Sequence, residues 1–557
     1  MGIMQRFVVP AREGASRQLD NEDLRPTPRE KRTWGLLLFN CFWFSAVTNV
    51  SNFLGGSSFL SLGLTYWEGL GCSTAGYFLI SFFMVACGRF GAKWHVGFPV
   101  ACRSSFGVYG AGWPALNRAF MACLWQGVNA VSGAQALYIV LYSMFPSIKT
   151  SIHNTMDSRS ALNSAEMLCF FLFQGLVGLM CILRVQKWGT FVYTKVAVFC
   201  ISSAGMLAWS ITAAGGVGPV VSQGSKIHGS EKSWLLVRMI LTSAASCSTF
   251  ASNASDWQRM AIKPSDPILG QLLGFPISNF ITQVIGMLIA STSEGVYGKL
   301  VWNPVTYLKM LLEDNYDSKH RAGAFFIAAG FVYSLLFSCL FENVYCCGND
   351  LSSLCPKYIS IKRGFFICIA VSCIINPWYL LGSASIFITV ISSYQIFLFS
   401  IIGVLLVDYY AVAKGFLDID ALFSANKNGK YWYWNGINLR AIAAYFVGVG
   451  VSFAGFLTNF GVIKSVKLTH SYYFSIVITT TAAGGTYYIL TKLFPQANAQ
   501  QVWSEPRGIW EPTDAQATVG GVAAFDDDKA ESFDKEDEAR AEIREAAVPE
   551  LSSRGHA

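Results

Sequence analysis

An apolar stretch from about residue 322 to 341 runs straight into Glu342-Asn343 and then Gly348-Asn349-Asp350, so a carboxylate and an amide stand where hydrocarbon is required. An ionisable group inside a membrane span costs several kcal/mol, roughly 2.5 to 3.5 by insertion scales, unless it faces a cavity or a partner. A chain that keeps one there is expected to use it. The chemistry open to this pair is proton-coupled recognition: a carboxyl held away from water can cross as the neutral acid and give up its proton on the other side. Beside Asn343, a neutral Glu342 also donates a hydrogen bond that the carboxylate cannot. Glu342 is the expected carrier of a coupling proton, weighed against a plain structural pair with a nearby cation or hydroxyl.

The elements that must hold this pair are membrane helices. Of 557 residues, 53% are hydrophobic and 13% charged, against about 25% charged in soluble domains. The hydropathy pattern predicts about twelve apolar spans, beginning near Trp34, Thr74, Pro114, Ala165, Gly189, Trp234, Pro267, Ala322, Gly364, Ala384, Arg440 and Tyr472. Arg6, Arg12, Arg17, Arg25, Arg29, Lys31 and Arg32 precede the first span, and flanks rich in Lys and Arg stay in the cytoplasm. With an even number of spans both termini are expected there, and connections carrying Arg89, Lys93 and Arg103, Arg184 and Lys187, or Arg259 and Lys263 agree.

The chain is expected to divide into a cytoplasmic amino-terminal tail over 1–33, a twelve-span membrane domain over 34–495, and a disordered acidic cytoplasmic tail over 496–557, with Lys529 and Lys535 as candidate acceptors for a ubiquitin ligase. The net charge of +7 lies in membrane flanks rather than on one basic face, which excludes a nucleic-acid partner. The partners expected are the lipid bilayer and a small molecule. The 15 cysteines lie mostly inside apolar segments, where thiols pack as small apolar groups, so no disulfide framework is expected.

Two spans are irregular. Thr48, Asn49, Ser51, Asn52 and Gly55 to Ser58 interrupt the first, and Thr242-Ser-Ala-Ala-Ser-Cys-Ser-Thr249 crowds the sixth. Backbone freed by a break in a span must be satisfied by protein or by a water-filled cavity, and such breaks mark substrate sites in transporters. Irregularities five spans apart are what two inverted five-span repeats give.

Gly88-Arg-Phe-Gly-Ala-Lys-Trp-His-Val-Gly-Phe-Pro-Val100, Arg103-Ser-Ser-Phe-Gly107, Trp113-Pro-Ala-Leu-Asn-Arg-Ala119, Asn253-Ala-Ser-Asp256, Gly348-Asn-Asp350, Pro356-Lys-Tyr-Ile-Ser-Ile-Lys-Arg-Gly364 and Val407-Asp-Tyr-Tyr410 together resemble the nucleobase-cation symporter-1 family, in particular its fungal branch of uracil, uridine, allantoin and thiamine permeases. The resemblance runs from about Trp34 to Lys492. It implies an all-α polytopic membrane protein of about 12 transmembrane helices, a five-plus-five inverted repeat of the leucine and hydantoin transporter type plus two extra helices. It also implies import of a planar heterocycle, coupled in fungi to protons.

Carried over by position, the family's substrate tryptophan falls on Trp125 and its asparagine on Asn343. A flat ring with amide edges calls for an aromatic surface to stack on and an amide to pair with. Two positions depart from the family pattern: Asn129 stands where glutamine is usual, and Cys247, after Ser246, where a second aromatic is usual. A wider ligand such as a nucleoside or a thiamine-like compound fits that loss, with Gln126 and Phe250 as residues that could compensate. Asn49 matches a family asparagine, and Ser338 falls where sodium-coupled relatives place a hydroxyl ligand, weighed against a serine bonded to its own helix.

The chain carries no His-Glu-x-x-His, phosphate-binding glycine loop or nucleophile elbow, so an enzyme, a metal site or a bound cofactor is not expected, and the coupling ion is taken to be H+. The sequence reading is a plasma-membrane proton symporter for a nucleobase-like heterocycle such as uracil, uridine or allantoin. Alternatives are a thiamine or nicotinamide riboside transporter of the same family, or a nutrient sensor that does not transport.

Overall fold

The computed structural model describes residues 8, 9, 16–183, 185 and 188–506. Arg6, Arg12, Arg184, Lys187, Lys529 and Lys535 lie outside them. Among the described residues there are many helices and no β-strand. The principal helices are α1 (Leu36–Ser45), α2 (Val50–Leu60), α3 (Tyr66–Trp94), α4 (Phe98–Phe106), α5 (Gly112–Met144), α6 (Ser164–Met180), α7 (Gly189–Ala214), α8 (Gly229–Ser246) and α9 (Ser248–Gln258). They are followed by α10 (Asp266–Tyr297), α11 (Ser318–Leu354), α12 (Ile361–Ile374), α13 (Ala384–Val412), α14 (Leu439–Asn459) and α15 (Ser475–Leu493).

Seven helical stretches are long and apolar enough to cross a bilayer, or eight if the bent pair α1–α2 is one span. The other expected spans are also helical, but α6 and α12 are short at 17 and 14 residues. Helix α5 runs 33 residues and buries polar side chains including Arg118, Gln126, Asn129 and Gln135, which lowers its hydropathy because it faces protein rather than lipid.

Both expected irregularities are real breaks. Helices α1 and α2 meet at a bend of 48°, and α8 gives way to α9 at the single residue Cys247. Asn49 caps α2 by accepting from Asn52 N at 2.9 Å, satisfying one of the donors that a helix start leaves open. A third irregularity lies in α11, where Cys339–Val344 forms a π-turn inside the helix. Adjacent residues of a regular helix point about 100° apart, and an extra residue in one turn re-aims those around it. Glu342 and Asn343 sit in that turn, and both line the same cavity.

Small residues set how closely the helices approach. A Cβ on Gly76 of α3 would lie 2.4 Å from Ile240 O of α8, and one on Gly91 the same distance from Ser255 O of α9. Arg118 of α5 is wholly buried and pairs with Asp256 of α9 at 2.6 Å and Asp350 of α11 at 2.7 Å. Its guanidinium also lies 4.3 Å from the Phe98 ring of α4. Asp256 thus anchors Arg118 and also accepts from Phe98 N at 3.1 Å.

Segments next to both termini close one end of the bundle. Asn21 donates to Ser352 Oγ at 2.8 Å, and Asp23 accepts from Ile361 N at 2.9 Å and, through its carbonyl, from Arg259 at 3.1 Å. At the other terminus the packed body continues past residue 495, where a tail was expected to begin. Gln496 and Asn498 donate to the buried Asp408 at 3.2 and 3.3 Å. Glu505 pairs with Arg89 at 2.5 Å and accepts from the Tyr409 hydroxyl at 2.7 Å. The remaining 507–557 lie outside the described residues.

Candidate substrate site

The breaks of α1–α2 and α8–α9, the π-turn of α11, and α3, α5, α10 and α13 line one cavity, in which the centre of a water molecule can move through about 60 Å³. Trp125, Asn129, Asn343, Ser246, Cys247, Phe250, Asn49 and Glu342 all line it. Of the residues singled out from sequence, Ser338 lies behind its wall, and Gln126 turns away, donating to Gln174 of α6 at 3.1 Å. Gln126 is therefore not a substitute for the shortened Asn129: it follows Trp125 directly, and helical geometry aims the two about 100° apart.

The polar groups differ in how fully they are engaged. Asn129 Oδ1 accepts from the Ser51 hydroxyl of α2 at 2.5 Å, and the Ser246 hydroxyl donates back to Ser243 O within its own helix at 2.8 Å. Asn49 donates to Glu342 Oε1 at 3.3 Å and Ser338 Oγ at 3.2 Å. Asn343 is 5% exposed, and its Nδ2 has no hydrogen-bond partner. A buried donor left unmade costs about 1–3 kcal/mol.

The indole of Trp125 is held from behind. Its Nε1 donates to the Tyr394 hydroxyl at 3.1 Å, and that hydroxyl donates to Ser246 O at the α8–α9 break, also 3.1 Å. Phe387 meets the indole edge-on at 6.4 Å between centroids. Cys247 and Phe250 of the α8–α9 break line the same cavity as Trp125.

Beneath Glu342 lies a buried cation. Lys195 of α7 is fully buried, and its ammonium donates to Ser45 O at 2.7 Å, Ser338 Oγ at 2.9 Å and Glu342 Oε1 at 3.4 Å. A main-chain carbonyl from the α1–α2 break and a hydroxyl from α11 are oxygen ligands of the kind a small cation takes. Here the protein's own ammonium holds them. Ser338, expected as a cation ligand or a serine bonded to its own helix, binds Lys195 and Asn49.

A family described as permeases for cytosine/purines, uracil, thiamine and allantoin matches residues 26–478. The chain belongs to this permease family. It is a multi-pass membrane transporter and not an enzyme. The permease is 33% identical to a uridine permease of Saccharomyces cerevisiae over 486 residues, 86% of this chain and 76% of that one. It is 32% identical to that organism's uracil permease, covering 85% and 76%, and 30% identical to its thiamine transporter, covering 88% and 82%. Mhp1, a nucleobase-cation-symport-1 family transporter solved in a closed conformation with bromovinylhydantoin bound, superposes with a TM-score of 0.68 at 18% identity, covering 86% of this permease and 98% of that chain. The fold is therefore that of Mhp1.

Lys195, Tyr394 and Phe387 of the permease escaped the sequence reading. Lys195 carried a readable signal, a lone ionisable residue well inside an apolar span. Tyr394 and Phe387 carried none, since aromatics are common in spans and only the fold brings them to Trp125.

Proposed function

We propose that this permease imports a planar nucleobase-like heterocycle, of the kind named by uracil, uridine or allantoin, across the plasma membrane by proton symport, with both termini in the cytosol. The observation that carries the reading is the unpartnered, buried Nδ2 of Asn343, whose residue lines the same cavity as the Trp125 indole. The ring stacks on Trp125, and its carbonyl accepts the hydrogen bond that Asn343 Nδ2 gives to no group of the protein.

Proton coupling runs through Glu342, with Lys195, Asn49 and Ser338 around it. While Lys195 is charged it ties α7 to the α1–α2 break and to α11. A proton gained or lost within the Lys195–Glu342 pair changes which of these ties hold, and the pair adjoins the amide that meets the ligand. Alternating access then follows from making and breaking the same bonds that orient Asn343. The ammonium on Ser338 and Ser45 O favours a proton over sodium as the coupling ion.

The test is accumulation of labelled substrate against its gradient at external pH 5 and 7.5, with Glu342→Gln compared with the unaltered chain at equal surface abundance. Glu342→Gln is expected to equilibrate substrate without concentrating it at either pH. Undiminished pH-driven accumulation in Glu342→Gln would refute Glu342 as part of the proton path.

A further inference from the structure

Away from the substrate site, the connection between α13 and α14 and the chain that follows α15 form an open cleft of about 600 Å³. Lys427 and Lys430 reach it from the connection and Arg440 from the first turn of α14, and no carboxylate among the described residues lines it. Lys430 shares its ammonium with Asp418 at 3.0 Å, outside the lining. Arg440 donates to amide oxygens, Asn438 Oδ1 at 3.4 Å and Pro495 O at 3.3 Å. Neither Arg440 nor the exposed Lys427 has an ion pair among the described residues.

Cations gathered with so little counter-charge repel one another. Lysine and arginine side chains also donate without accepting. The complement of such a cleft is an anion with several acceptor oxygens, which a phosphate supplies.

The border of the cleft says what carries that phosphate. Trp434, Leu439 and Phe494 line it, and each is more than half exposed. Helix α14 is long and apolar enough to cross the bilayer and begins at Leu439, and α15 packs along it and ends at Leu493. The cleft therefore lies where α14 leaves the hydrocarbon, at the depth where headgroups sit and tryptophan gathers. From Leu439 the exposed apolar side chains continue at Phe446 and Phe453. Steps of seven residues keep these three on one face of the helix, along about 21 Å, which is room for an acyl chain. A free phosphate makes no use of that face, whereas basic pockets at the ends of membrane helices hold anionic headgroups.

We infer that this cleft binds an anionic phospholipid, with its phosphate on Lys427 and Arg440, Lys430 at the edge, and an acyl chain along Leu439, Phe446 and Phe453. A headgroup held there ties the α13–α14 connection to α14 and to the carboxy-terminal segment, because Arg440 also holds Pro495 O, and Gln496 lines the cleft while donating to Asp408. The inference needs only the membrane placement of α14 and stands apart from the substrate reading.

The experiment mixes purified full-length protein in detergent with phosphatidylserine or with phosphatidylcholine of the same acyl chains, and counts retained lipid by native mass spectrometry. The unaltered chain is compared with the double variant Lys427→Ala with Arg440→Ala, with Lys427→Glu, and with Lys362→Ala, an exposed cation in the first turn of α12 outside the cleft. The unaltered chain is expected to retain about tenfold more phosphatidylserine than phosphatidylcholine. The double variant is expected to lower phosphatidylserine about tenfold or more, the worth of two cations at a membrane surface, and Lys362→Ala to leave it in place. Lys427→Glu changes an exposed side chain with no ion pair to lose, so its expected loss of phosphatidylserine is readable even where the double variant folds poorly. Equal retention of the two lipids, no retention of either, or undiminished phosphatidylserine on Lys427→Glu would overturn the site. An equal fall in Lys362→Ala would show attraction to a general positive flank and overturn it as well. Thermal stabilisation by inorganic phosphate as large as that by phosphatidylserine would assign the cleft to a free anion and overturn the lipid.

Discussion

At the scale of the residue, the site separates groups the protein satisfies from groups it leaves open. Asn49, Asn129 and Ser246 are held by the chain, whereas Asn343 Nδ2 is not. Lys195 and Glu342 satisfy each other, and removing one partner of a buried pair costs about 3–5 kcal/mol, because the other charge is stranded. Lys195→Met alone is therefore expected to reduce folded protein sharply in a thermal unfolding or surface-abundance assay. The double variant Lys195→Met with Glu342→Gln is expected to recover abundance without recovering pH-driven accumulation. A single variant as stable as the unaltered chain would contradict the pair's role. Glu342 was legible in the sequence because a charge at the end of an apolar run stands out. Lys195 was not connected to it because 147 positions separate the two, and only the fold closes that distance.

At the scale of the element, breaks and bulges do what regular helices cannot. At the bend the Ser45 carbonyl accepts from Lys195 as well as from Thr48 N and Oγ1, and the π-turn brings consecutive residues of α11 to one cavity. The breaks were legible, since runs of Asn, Gly and Ser inside an apolar span leave few other readings. The π-turn was not, because its sequence Cys339 to Val344 carries no glycine or proline to mark a bulge. Close glycine contacts are the other device. Gly91→Leu places a side chain where α9 backbone lies 2.4 Å from a Cβ, and overpacking of this kind costs about 1–3 kcal/mol or more. The expected result is a lower melting temperature and reduced surface abundance; unchanged values would show that α3 and α9 can separate freely.

At the scale of the whole molecule, the terminal segments strap the helices together at one end. The amino-terminal strap joins the α11–α12 connection to the end of α9, and the carboxy-terminal strap joins α3 to the end of α13. The second strap was missed because residues 496–506 read as polar tail, while their partners Arg89, Asp408 and Tyr409 lie far away in sequence. Truncation after residue 495 strips Asp408 of Gln496 and Asn498. It is expected to lower the melting temperature of purified protein by on the order of 2–4 °C per kcal/mol lost, with KM for substrate unaltered; an unchanged melting temperature would mean that the strap adds nothing. The measurement that bears most directly on the central claim is saturable uptake of labelled uracil, uridine, allantoin and thiamine into cells lacking their own carriers, for the unaltered chain and Asn343→Ala at matched surface abundance. Uptake of one of these compounds, stronger at pH 5 than at pH 7.5 and lowered about tenfold or more in Asn343→Ala, is the predicted result. Equal uptake by Asn343→Ala, or none by the unaltered chain at the cell surface, would contradict an account in which the open amide of Asn343 recognises the ring.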